Sequence, residues 1–148
     1  MPTIACVDPG ATCGIALYDD GVVQLLQMTR GNDVRNANKV LEVCGGPEVL
    51  VVERFVPQPT KGYTWQSLSP MRIGAMLECL IAERGLLVDL LWQTPSDKAV
   101  ITDDRLRRWG WWWPGHDDAM DALRHLIVFL RRTKMEWRDL EVSHVAVD

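Results

Sequence analysis

Apolar positions in this chain come first in short blocks and later at helical spacing. TIACVDPG (3–10) is an apolar run rich in β-branched and small residues, stopped by a Pro-Gly turn, and reads as a strand. CGIALYDDGVVQLLQM (13–28) reads as two more strands joined by the hairpin signal DDG. NDVRNANKVLEVCGG (32–46) has a capping candidate at Asn32 or Asp33 and ends on two glycines, the punctuation of a helix. PEVLVVERF (47–55) is a continuous apolar run of strand length, as in a strand covered on both faces.

The stretch from Val56 to Pro70, with three prolines before Met71 and few apolar residues, reads as an exposed loop. Helical spacing of Met71, Ala75, Leu77, Leu80 and Ile81 follows, closed by Gly85. LLVDLLWQTP (86–95) is a fifth strand, and SDKAVITDDRLRRWG (96–110) one weak helix or two short ones. In the last helix, DDAMDALRHLIVFLRR (117–132), a core face is formed by Ala119, Ala122, Leu123, Leu126, Ile127 and Leu130. The tail after Met135 is polar and is expected to be partly mobile. The order β-β-β-α-β-α-β-α predicts one α/β domain over 1–148. Its mixed five-strand sheet is antiparallel first and parallel later, with helices on both faces.

Composition narrows the picture without deciding it. A hydrophobic share of 47% and a charged share of 24% suit a globular domain, and no apolar run is long enough to span a bilayer. Four cysteines without metal-like spacing read as free thiols in a reducing compartment, and the N-terminus shows no export signal, so a cytoplasmic protein is expected. A net charge of −4 argues mildly against a polyanionic partner, yet basic residues cluster at Arg105, Arg107 and Arg108 and again at Arg124, Arg131, Arg132 and Lys134.

The chemistry lies in the acids. The first strand delivers Asp8 and the fourth delivers Glu53, each closing an apolar run where an uncompensated carboxylate costs several kcal/mol. In a sheet of this order the two strand ends can lie side by side. Asp118 and Asp121, three apart, share one side of the last helix and can lean toward them. Clustered carboxylates with no His/Cys set suit a hard cation, Mg²⁺ or Mn²⁺, and two such ions roughly 3.5–4 Å apart support phosphodiester hydrolysis. Taken singly, each acid has an ordinary reading, and Asp117 in the first helical turn suits a cap. Taken together they favour a metal site.

The order strand-Asp, strand-Glu, helix-Asp-x-x-Asp resembles the RuvC family of Holliday-junction resolvases, of the ribonuclease H-like superfamily, over roughly residues 3–130. IACVDPGATCGIALYD is similar to its first motif and VVERF to its second. TPSDKAV is similar to its proline–lysine segment, at Pro95 and Lys98, and DDAMDAL to its last motif. The resemblance implies a ribonuclease H-like fold and Asp8, Glu53, Asp118 and Asp121 as catalytic ligands of two Mg²⁺ ions, with Mn²⁺ able to substitute. It also implies a homodimer that nicks a four-way DNA junction symmetrically, the dimer contact lying around IGAMLECLI, where Gly74 and Ala75 permit close approach. Lys98, His116 and Asp117 are candidates to assist the acids. The compact chain is similar to phage-encoded members, which work in the host cytoplasm.

For DNA contact, Phe55 stands near the position of the family's crossover aromatic, and Lys61, Tyr63, Trp65 and Arg72 belong to or flank the proline-rich loop. Arg105, Arg107 and Arg108 either bind phosphates or stay solvated. RLRRWGWWWPG replaces the basic, glycine-rich segment usual before the last motif; its consecutive tryptophans favour packing over base stacking. Two other readings remain: a YqgF-like ribonuclease on structured RNA, and a junction-binding protein whose acids hold a structural ion.

Overall fold

A computed structural model describes residues 2–147. The chain opens with β1 (Ile4–Asp8), β2 (Gly14–Asp19) and β3 (Val22–Met28), then α1 (Asp33–Cys44) and β4 (Val49–Glu53). After the loop come α2 (Ser69–Arg84), β5 (Asp89–Gln93), the short α3 (Pro95–Lys98) and α4 (Asp103–Arg108), then α5 (Asp117–Arg132) and β6 (Glu141–Val147). The strands form one sheet in the order β5-β4-β1-β2-β3-β6. β1, β2 and β3 are a meander; β4 and β5 run parallel to β1, and Ile4 to Val7 pair with Val49 to Val52.

The sheet therefore has six strands, not five, because residues 141–147 of the expected tail form β6, parallel to β3 from Val22↔Glu141 to Met28↔Val147. The EVSHVAV pattern is weak by itself. What orders it is the open edge of β3, whose unpaired N–H and C=O groups pair with a returning segment; Glu141 N–H already donates to Gly21 O at 2.9 Å.

All five β1 residues are buried, as in a strand covered on both faces. Ile4 and Cys6 face one core, with Ala16, Leu25, Met120, Leu123 and Leu126 between sheet and α5. Ala5 and Val7 face the other, with Ile15, Val40, Leu50, Ile73 and Leu77 between sheet and α1/α2. The α2 face differs from its sequence pattern. Ile73, Gly74, Leu77 and Ile81 are buried, while Met71 and Ala75 are exposed. A Cβ at Gly74 would stand 3.3 Å from the Trp92 ring, so the glycine eases the packing of α2 on β5.

The tryptophan run packs. Trp111 is buried in the α5 core, and Trp109, Trp112 and Trp113 lie partly buried against it. Trp113 also stacks with the rings of His116 and His144, at centroid distances of 3.7 and 4.5 Å. No helix among the described residues is long and apolar enough to cross a membrane.

Candidate active site

Parallel pairing of β1 and β4 sets Asp8 and Glu53 at neighbouring strand ends. The turn after Asp8 is pinned by buried Asn36 of α1, whose Nδ2 lies 2.9, 3.0 and 3.2 Å from the carbonyl oxygens of Gly10, Ala11 and Gly31. α5 then meets the sheet at Gly14, where a Cβ would fall 1.9 Å from Asp118 O. Only glycine admits the helix this closely, and the contact brings the first turn of α5 to the strand ends.

Protein donors hold three of the four acids. Thr12 Oγ1 donates to Asp118 Oδ2 at 2.5 Å and Gln27 Nε2 donates to the same oxygen at 3.0 Å. Gln27 Oε1 also accepts from the Ala119 N–H at 3.0 Å, so one β3 side chain ties both the carboxylate and the backbone of α5. Lys98 Nζ lies between two acids, 2.8 Å from Glu53 Oε2 and 2.9 Å from Asp121 Oδ2. Arg124 adds a second cation on Asp121 at 2.5 Å. Fully buried His125 presents Nε2 to Glu53 Oε2 at 2.8 Å and Nδ1 to Gln93 Oε1 at 2.6 Å. Since Gln93 Nε2 donates to the His125 carbonyl at 3.1 Å, its oxygen is the atom left facing the ring, and both ring nitrogens meet acceptors.

Asp8 is the exception: only 9% exposed, its carboxylate accepts no hydrogen bond from the described residues. Burial, then the Glu53 charge, push its carboxyl well above the usual range; Asp121 and Asp118 add to this and Lys98 opposes it. Glu53 goes the other way. Burial would raise it, but the hydrogen bonds and charges of His125 and Lys98 outweigh burial and hold it below the ordinary value. Burial likewise pulls Lys98 down, while Asp8, Glu53 and Asp121 overcome this and push it up to about 12.

The donor set fits a hard divalent ion, with four carboxylates, no thiolate, and one buried carboxylate short of positive charge. The acids are turned toward their protein donors, and among the described residues no three His, Cys, Asp or Glu side chains converge as an ion cage. The Lys98 ammonium already takes the place of a cation between Glu53 and Asp121.

No family model matches the sequence, and no curated protein sequence does either. Solved structures do. Thermus thermophilus RuvC in complex with a Holliday junction substrate superposes with a TM-score of 0.61 at 19% identity, covering 90% of this chain and 96% of that one. The fold is that of RuvC. A second Thermus thermophilus RuvC structure gives a TM-score of 0.57 at 17% identity over 90% and 97% of the two chains. The yeast mitochondrial Holliday junction resolvase gives 0.49 at 16% identity over 82% and 74%.

Within this RuvC fold the structure gathers Asp8, Glu53, Asp118, Asp121 and Lys98 into one charged neighbourhood. Phe55 belongs with them: with Asp8, Pro9, Glu53, Val56 and Pro70 it lines a hollow of about 170 Å³, and its ring meets Tyr63 edge-on at 5.5 Å. His116 is not gathered in; it stacks on Trp113 and its Nδ1 lies 2.8 Å from Pro114 O. Asp117 starts α5, exposed, after an N-cap residue that makes no side-chain cap bond. Lys61 is exposed, and Trp65, 71% exposed, carries the Arg72 guanidinium 3.8 Å above its ring. Arg72 is itself bound to Asp33, Ser69 and the Trp65 carbonyl, so it braces Trp65. Arg105 donates to Val100 O, Arg107 pairs with Asp104, and Arg108 is exposed.

His125, Gln93, Thr12 and Gln27 adjoin the acids without having been singled out in the sequence, and Arg124 was noted there only as one of a basic group. Two left a signal. His125 interrupts the apolar face of α5, and Gln93 closes a strand as Asp8 and Glu53 do.

Proposed function

We propose that the protein is a Mg²⁺-dependent endonuclease that resolves four-way and other branched DNA by paired nicking. The observation that carries this reading is Asp8. Its buried, donor-free carboxylate stands against Glu53, Asp118 and Asp121 where β1 and β4 end, in a fold shared with a RuvC solved on a junction substrate.

In this reading Asp8, Glu53, Asp118 and Asp121 would hold two Mg²⁺ or Mn²⁺ ions. Bound there, such ions would supply Lewis acidity, easing loss of a proton from the attacking water and neutralising charge on the departing oxygen. The chain's own groups do the rest. Lys98, pushed up to about 12 and paired with Glu53 and Asp121, keeps its positive charge within the cluster and is not a base. His125, held by Gln93, fixes the Glu53 carboxylate, and Thr12 with Gln27 fixes Asp118. Phe55 stands at the entrance beside Asp8, and Lys61, Tyr63 and Trp65 on the adjoining loop contact the junction arms. Two coordinated nicks need two sites, so the working form is a homodimer, built through the exposed side of α2 that includes Met71, Ala75 and Cys79.

The test is cleavage of labelled four-way junctions, forks, duplexes and structured RNA with Mg²⁺, Mn²⁺ or chelator. Wild type is expected to nick junctions symmetrically and Asp8→Asn to bind without cutting, because losing a charge lessens repulsion of phosphates. Normal junction cleavage by Asp8→Asn would refute the assignment. Cleavage of RNA alone would favour the YqgF-like alternative, and tight binding without nicking in either metal a purely binding role.

A further inference from the structure

The far end of α5 carries a basic surface that the acid cluster does not use. Trp137, in the connection from α5 to β6, packs against the core and meets Trp109 edge-on at 5.1 Å. Its ring carries two guanidinium groups, Arg138 at 4.8 Å and Arg131 at 5.5 Å from the centroid. Trp112 carries a third, Arg107, at 4.4 Å. An open hollow of about 310 Å³ lies here, lined by Arg131, Lys134, Met135, Glu136, Trp137 and Arg138. Arg131 also walls an adjoining hollow of about 350 Å³ with Arg132.

Two features set this surface apart from an ordinary solvated face. First, part of its charge is unpaired: Arg132 is paired with Asp97 and Arg107 with Asp104, but among the described residues no carboxylate makes an ion pair with Arg131, Lys134, Arg138 or Arg108. Glu136, the acid in the wall, spends one carboxylate oxygen on the backbone N–H groups of Trp137 and Arg138. Second, the arginines are held in place. A guanidinium drawn over an indole face by cation–π attraction still has N–H groups to offer an anion and gives up less side-chain freedom when it grips one. In a chain with net charge −4, a polyanion is repelled in general and can be held only where positive charge is concentrated this way.

We propose that this face is a second nucleic-acid contact that grips the phosphate backbone of a duplex arm of the branched substrate. The inference rests on the nuclease reading above. A duplex is favoured as occupant by its regular charge, about one phosphate per 1.7 Å of axis, and by continuity with the acid cluster along α5. Along the axis of α5 the patch lies about 20 Å from Asp118, so a duplex arm that leaves the acid cluster toward this end of the helix would be held about six base pairs from the cut.

The experiment compares wild type with a triple variant, Arg131→Gln, Arg138→Gln and Lys134→Asn. The protein binds junctions with long arms or with hairpin-capped arms of about five base pairs across a salt series. Asn suits position 134, whose φ of 58° disfavours most side chains. Loss of about three phosphate contacts should flatten the slope of log K against log salt by roughly two to three on long arms only. Affinity for capped arms and their single-turnover cleavage should stay at wild-type level. Should the triple variant not fold, Lys134→Asn alone should flatten the slope by about one. A folded variant with wild-type slope on long arms overturns the proposal while leaving the nuclease reading intact. A wild type that neither binds nor cuts either junction removes both. Polyglutamate binding lost by the variant, with junction binding unchanged, assigns the face to an acidic protein and also overturns the proposal.

Discussion

Gly14→Ala puts the close contact between the sheet and α5 to the test. The added Cβ would lie 1.9 Å from Asp118 O, 2.0 Å from Asp118 C and 2.3 Å from Ala119 N, about 1.5 Å short of the 3.4 Å where ordinary contact begins. The obstacle is helix backbone, so no rotamer change relieves it; α5 must lift or β2 must bend. Overpacking of this kind costs about 1–3 kcal/mol, and the unyielding obstacle places this case near the top. For a chain of this length that corresponds to a Tm lower by roughly 6–12 °C. The same displacement moves Asp118 and the Gln27 bond to Ala119, and an error of about 1 Å in catalytic groups costs on the order of 100-fold in rate. Urea unfolding with an unchanged m-value, read beside single-turnover junction cleavage, separates the two effects. A variant with wild-type midpoint and rate would refute the claim that Gly14 sets the height of α5 over the sheet.

Three further outcomes follow from the charges and the packing. In chelator at pH 7, Asp8→Asn should melt above wild type: an acid raised by folding costs stability once pH passes its unfolded value of 3.8, and the variant lacks that cost. Mg²⁺ at about a hundred times its Kd should stabilise wild type by about 2.7 kcal/mol and the variant far less; a variant melting below wild type in chelator would count against the buried, repelled carboxylate. Lys98, raised by folding from 10.5 to about 12, contributes stability below 10.5 that disappears as pH climbs to 12, so metal-free wild type should lose stability across that window. Lys98→Met should lack that loss, being already weaker at pH 7, and parallel urea midpoints for the two proteins from pH 10 to 12 would contradict it. Trp111→Ala should cost about 3–5 kcal/mol, whereas Trp65→Ala should cost under about 1 kcal/mol of stability yet weaken junction binding, and equal losses on denaturation would remove the distinction between packing and contact tryptophans.

The local rules of the chain were enough for β1 to β5, for the three long helices and for a cap at Asn32 or Asp33, of which the structure uses Asn32, because hydrophobic period, turn residues and caps act within a few residues. They were enough, too, to pick out Asp8, Glu53, Asp118 and Asp121. An acid closing a buried strand is costly wherever it occurs, and two acids three apart share a helix side under any packing. Lys98 could be named as an assistant but not preferred to His116, since that choice depends on how α3 and α5 sit around β4.

Tertiary structure decided what rests on contacts between distant segments. β6 exists because β3 has an open edge, a fact absent from residues 141–147 themselves. Met71 and Ala75 fell on the exposed side of α2 while Gly74 went under Trp92, because helix rotation is set by what the sheet offers rather than by spacing alone. His125 and Gln93, Thr12 and Gln27 became supports for two carboxylates only when register and helix height brought them within 3 Å or so. The acids were legible because their cost is local; their supports were not, because a hydrogen bond between remote segments has no counterpart in either segment's own pattern.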